Sequence, residues 1–206
     1  RNNDNEPNSY ASNWQATIQN EIAQSEYEIN WQRDKNCFSS PNRAQNLRFD
    51  YFDNGFRVTP RTEESWEVKM TLSEYGKESM TQFSSSKLSA DKNRARSVSE
   101  NVTISYENSK EGMRQNFLVN RKPEGIKELR LKIIVNSLLD FSVQPDGRGI
   151  AFTDDEGLLQ YQYNGLKVFD ANGKELFAQM QKEESDFVIV VKDENESGNI
   201  NNVGKY

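Results

Sequence analysis

Three groups of residues in this chain have the types and spacing to do chemistry. Asp154-Asp155-Glu156 and Asp193-Glu194-Asn195-Glu196 gather oxygen ligands of the kind calcium takes. Trp31, Trp66, Tyr161 and Tyr163 carry flat rings on which a sugar can stack, and Cys37 is the single thiol. Each has a plainer reading beside the chemical one. Neither acidic run has the twelve-residue spacing that closes an EF-hand loop, so both read as solvated turns. Asp170-Ala171-Asn172-Gly173 starts like such a loop, but Leu176 and Phe177 follow at once, which makes it a hairpin turn. The rings lie on alternating segments and read as core. If Tyr161, Tyr163 and Trp66 present an exposed face, they are the ligand-binding candidates.

The chain has no histidine, which removes the commonest general base and metal ligand together. No Ser-His-Asp or Cys-His arrangement can be assembled within it. One cysteine excludes an internal disulfide and a cysteine zinc cluster, and beside Phe38 it reads as a small buried hydrophobe. A glycosidase needs two carboxylates facing across a cleft. With 32 acidic residues a pair can always be nominated, so that signal selects nothing. No catalytic residue and no cofactor is assigned, and calcium at Asp154, Asp155 and Glu156 is the one metal candidate. A net charge of −6 argues against nucleic acid, which needs a basic stripe to displace counterions. No apolar run is long enough to span a membrane.

These residues must be positioned by strands. Residues 1–8 are a polar lead-in, and 9–192 form one β-rich domain. Ser12 and Gln15 make a capping-box pattern ahead of Trp14, Ile18 and Ile22, which share one helix face that must pack on a sheet. The period then switches to two. Tyr27/Ile29/Trp31, Leu47/Phe49/Tyr51, Phe56/Val58 and Trp66/Val68/Met70/Leu72 alternate with polar residues, and Asp53-Asn54-Gly55 turns a hairpin. Pro41-Asn42-Arg43-Ala44-Gln45-Asn46 reads as a buried polar element whose side chains bond backbone, with Arg43 able to fork onto a carboxylate.

Residues 76–100 lose the pattern and read as a long loop. Strand signals resume at Val102/Ile104/Tyr106, Phe117/Val119 and Leu129/Leu131/Ile133/Val135. They run on as a meander to Phe187/Ile189/Val191, punctuated by Pro145-Asp146-Gly147, Asp154–Gly157, Asn164-Gly165 and Asn172-Gly173. About a dozen strands with one helix predict an all-β fold, an antiparallel β-sandwich of supersandwich-like build with an N-terminal α-helix. Residues 193–206 read as a polar tail or a linker to further domains.

The segments WQATIQNEIAQSEYEINWQ (14–32), SPNRAQNLRFDYFDNGFRV (40–58), GMRQNFLVNRKPEG (112–125), DGRGIAFTDDEGLLQYQYNGLKVFDANGKEL (146–176) and FVIVV (187–191) carry a resemblance. Together they resemble the N-terminal β-rich domain of large secreted or surface proteins of Bacteroidota-type bacteria, in which FG-GAP or SBBP-type β-propeller repeats follow. The resemblance implies an extracellular, non-enzymatic module that serves adhesion, assembly or ligand presentation. It implies other domains, surface proteins or glycans as partners and carries no catalytic residue over. A carbohydrate-binding module, or a polysaccharide-active enzyme with paired carboxylates, is the alternative. Edge strands of an open sandwich are where a partner strand could pair.

Overall fold

The computed structural model describes residues 14–19, 25–63, 65–84 and 87–192. It is mostly β, with antiparallel sheets and one short N-terminal helix, so the all-β expectation holds. Residues 14–19 are helical, with Trp14 66% exposed and Ile18 half-buried. Trp14 therefore does not seat on a sheet as its spacing predicts. Ser12, Ile22, the lead-in 1–8 and the tail 193–206 with its acidic run lie outside the described residues.

One large sheet forms the first layer. Its strands are β1 (Asn30–Gln32), β2 (Cys37–Asn42), β3 (Leu47–Tyr51), β4 (Gly55–Pro60), β5 (Val68–Gly76) and β6 (Met80–Gln82). The second layer starts with β7 (Ser89–Asp91), β8 (Arg94–Ser97), β9 (Val102–Ser109) and β10 (Gly112–Val119). The chain then returns to the large sheet as β11 (Leu129–Ser137) and crosses again as β12 (Asp140–Val143), β13 (Gly149–Thr153) and β14 (Leu159–Asn164). It finishes the large sheet with β15 (Val168–Phe169), β16 (Glu175–Glu183) and β17 (Asp186–Lys192).

The large sheet runs β1-β2-β3-β4-β5-β11-β17-β16-β15, with β6 continuing the line of β4 along β5. Its register puts apolar residues opposite one another on one face. Phe49 faces Val58, Tyr51 faces Phe56, Phe56 faces Met70, Leu72 faces Ile133, and Leu131 faces Ile189. All of these are buried, so period-two patterning becomes a continuous apolar floor.

Two smaller sheets cover that floor side by side: β10-β9-β8-β7 and β12-β13-β14. The first brings down Val102, Ile104, Tyr106, Phe117 and Val119, and the second Ile150, Phe152 and Tyr161. The covering layer is thus split in two.

Two buried features hold the four-stranded sheet in place. Asn108, fully buried, donates to Ser40 Oγ and to the carbonyls of Pro41 and Tyr27 at 2.9, 2.9 and 3.2 Å. It accepts from Asn42 Nδ2 at 2.8 Å, and Ser40 Oγ meets the Tyr51 hydroxyl at 2.8 Å. Tyr106 donates its hydroxyl to the Gly55 carbonyl at 2.8 Å, tying β9 to the β3–β4 turn. Unmade bonds inside a core cost more than made ones contribute, so such a network fixes the position of the sheet.

This network is the reason β2 carries no strand signal in its sequence. Ser40 and Asn42 occupy its inward positions, so the apolar alternation is absent where the polar network sits. Asn42 also accepts from the Gln45 amide, and Gln45 donates to the Lys110 carbonyl, but of the expected buried element only Asn42 is buried, because residues 43–46 form an exposed turn. Residues 76–100 differ from the expected loop, for they contain β6, β7 and β8. Each is only three or four residues long and too polar to show a pattern.

Candidate functional site

The split layer leaves two strand edges facing each other. β10 borders the four-stranded sheet and β14 the three-stranded one, and between them runs an open groove that spreads over β7, β8 and β9, about 1730 Å³ in all. Sheets expose unpaired N–H and C=O groups at their edges, and proteins normally keep such edges short or covered. Here the outer strands of the large sheet follow that rule: β1 has three residues and β15 two. At the far ends of the smaller sheets, β7 has three and β12 four. β10 and β14 have eight and six. β10 pairs with β9 in unbroken register over its whole length, and among the described residues its open side is bonded to no strand.

The bottom of the groove is a seam of aromatic and amide side chains. Phe56 on the floor touches both halves, with its ring centroid 6.5 Å from Tyr106 and 6.2 Å from Tyr163. The Tyr163 hydroxyl donates to Gln115 Oε1 at 3.0 Å, crossing from β14 to β10. Burial pushes the Tyr163 hydroxyl well above the ordinary phenol range. It does the same to Tyr106, where a hydrogen bond with Gln115 works in the opposite direction. Both groups are neutral donors at any physiological pH.

The walls differ in chemistry. On the outer face of the four-stranded sheet the cross-strand row reads Asp91, Arg94, Glu107, Arg114, and the next reads Ser89, Arg96, Ser105, Asn116. Arg94 pairs with Glu107 at 3.1 Å. Arg96 and Arg114 are exposed and, among the described residues, have no ion-pair partner, and the same is true of Lys167 beyond β14. The β14 wall offers amides instead: Gln160, Gln162 and Asn164. The acids of the groove, Asp91, Glu107 and Glu111, stand on the four-stranded side.

The residues singled out from sequence fall elsewhere. Asp154 Oδ1 accepts from the amides of Glu156 and Leu158 at 3.0 and 2.9 Å, and its Oδ2 accepts from Gln160 at 2.6 Å. Its oxygens serve the β13–β14 turn, while Asp155 and Glu156 face solvent. Among the described residues no three acidic or thiol side chains gather as a metal site would require. Asp170 repeats the turn, accepting from Asn172 and Lys174.

Tyr161 is buried, with Trp66 6.1 Å and Phe152 5.7 Å from its ring. Tyr163 packs against Phe56 and Phe187, and Trp66 is half-buried against the core. These three rings fill the interior and do not form a flat exposed platform. Of the three, only the Tyr163 hydroxyl meets the groove through a hydrogen bond. Cys37 is buried, and desolvation, helped by nearby Asp50, pushes its thiol up and keeps it protonated. Arg43 makes a single bond to Glu26 at 3.0 Å in place of a fork.

The groove was not visible in the sequence because it depends on which strands are left unpaired. Its one local trace is the segment Gly112–Val119, a regular strand with no proline, lysine or bulge. No family model, no curated protein and no solved structure matches this chain.

Proposed function

We propose that this chain is a non-enzymatic binding module of an exported or cell-surface protein, and that its ligand lies along the groove between β10 and β14. The observation that carries the reading is the pairing of two long, open strand edges across one groove, in a fold whose other sheet ends are short. An extended ligand matches that shape. The distribution of acids supports binding over hydrolysis. Paired-carboxylate chemistry needs acids on both sides of the scissile bond, and here the β14 wall presents amides. The extracellular setting, with adhesion, assembly or ligand presentation as the role, rests on the resemblance of the segments quoted above. No helix among the described residues is long and apolar enough to cross a membrane.

The test is to probe arrays of extended peptides and of glycans with the intact chain and with Gln162→Trp, which places a large ring at an exposed groove position. Binding by the parent that the variant loses, with every probe recovered intact, is the expected result. Binding that survives Gln162→Trp would move the site elsewhere, and cleavage of a bound probe would make the chain an enzyme.

A further inference from the structure

With this groove as the binding site, we propose that its occupant is a single extended peptide strand of a partner. It alternates small or apolar residues with acidic ones and pairs with β10 on one side and β14 on the other. Such a strand would join the two smaller sheets into one continuous eight-stranded layer over the large sheet. Facing strand edges present donors and acceptors at the repeat of another strand, and main-chain pairing supplies affinity where strands are added to sheets.

Three observations select this occupant. First, the groove is walled on both sides, β10 against β14. A folded sheet edge, such as that of a second copy, needs an open flank to pair, whereas a lone strand fits between two walls. Second, a strand's side chains alternate between faces. Those pointing inward meet a seam already filled by Met113, Gln115, Tyr161 and Tyr163, which leaves room for small or apolar groups. Third, the outward side of the groove carries Arg114 on β10 itself, Lys167 beyond β14 and Arg96 two strands in from the β10 edge, three exposed cations that among the described residues have no ion-pair partner, in a chain of net charge −6. Their charge is complementary to carboxylates, which would steer and register the strand.

A fluorescein-labelled decapeptide of alternating Val and Glu, followed by fluorescence anisotropy against the intact chain, tests this. Saturable binding is expected. Arg96→Glu combined with Arg114→Glu should weaken it tenfold or more, since two attractions become repulsions at exposed positions. Arg96→Gln with Arg114→Gln, which sets no like charge opposite Glu107, should weaken it less, with far-ultraviolet circular dichroism confirming that both variants are folded. N-methylation of alternate peptide amides should abolish it, because side chains are kept and main-chain donors are lost. Equal binding of a Val/Lys peptide, or of the N-methylated peptide, would overturn the proposal.

Two further arms separate the failures. If an acidic oligosaccharide (oligogalacturonate) binds, is lost in Gln162→Trp, and the peptide does not bind, the groove stands as the site and the strand is wrong. If the peptide binds unchanged to Gln162→Trp, both the strand and the groove fall. Dimerisation in sedimentation velocity that the charge-reversed variant loses would give the groove to a second copy and also overturn the proposal.

Discussion

Replacing Gly55 by alanine is expected to destabilise the protein by about 3 kcal/mol or more. A β-carbon at that position would lie 2.0 Å from the Met70 carbonyl oxygen and 2.7 Å from the Thr71 α-carbon. Both atoms are backbone of β5, the strand with which Gly55 pairs, so no side chain can rotate out of the way. The two strands would have to separate, straining the ladder from Gly55 to Val58. The Gly55 carbonyl also accepts from the Phe52 amide and the Tyr106 hydroxyl, both at 2.8 Å. Separation therefore loosens the turn and the tie to β9 together. Urea denaturation followed by circular dichroism should show the midpoint fall with an unchanged slope. Gly157→Ala is the control: its positive φ of 79° is strained for alanine, but the space is open, and a loss of about 1 kcal/mol is expected. Equal losses for the two variants would contradict the close approach of β4 to β5.

The second large effect is alkaline. Tyr51, Tyr106, Tyr161 and Tyr163 all have hydroxyls raised above the usual value near 10, in each case chiefly by burial. The Ser40 bond to Tyr51 and the Gln115 bond to Tyr106 pull back only part of that. A group whose folded pKa is raised contributes stability that is complete below its unfolded pKa and is lost as pH climbs above it. Each such tyrosine steepens the loss by about 1.4 kcal/mol per pH unit above pH ~10, so four together give about 5 kcal/mol per unit. Against a total stability of about 5–15 kcal/mol, the fold should collapse cooperatively within one to three units above that pH. Absorbance at 295 nm should show these phenols silent until far-ultraviolet circular dichroism reports unfolding. Smooth ionisation of every tyrosine near pH 10 with the dichroism intact would contradict the buried seam.

The parts of the fold legible in the sequence are those where one residue type has one physical job. Leu129, Leu131 and Ile133 alternate because one face of β11 is floor, and Phe187, Ile189 and Val191 take that face on β17, an apolar run in which Val188 and Val190 are buried as well. Asp154 with Gly157 and Asp170 with Gly173 announce their turns because aspartate caps the turn amides and glycine takes the positive φ. The Asp53-Asn54-Gly55 hairpin is legible as well, but its glycine answers to the close approach of β5 and not to a positive φ.

The signal fails where a polar side chain does a core residue's work. Ser40 and Asn42 are fully buried on β2, so that strand shows no apolar period, and their partner Asn108 is just as buried on β9. It also fails where strands are too short to show a period, as in β6, β7 and β8. The candidate site was the least legible of all. Tyr161 and Tyr163 were found, but as rings that fill the seam below the groove and not as its surface. The groove itself is made by what β10 and β14 do not pair with, and an unpaired edge has no residue signature of its own.

Residue-resolved amide exchange on the intact, unliganded chain reads directly whether the edges of β10 and β14 are open. In β10 and β14 every second amide points toward the groove, while its neighbours bond to β9 or β13. Protection should alternate along Met113–Leu118 and Gln160–Asn164, with groove-facing amides exchanging rapidly and β9 and β13 uniformly slow. Uniform slow exchange along both edges would mean that they are already covered, and would contradict an open groove waiting for an extended ligand.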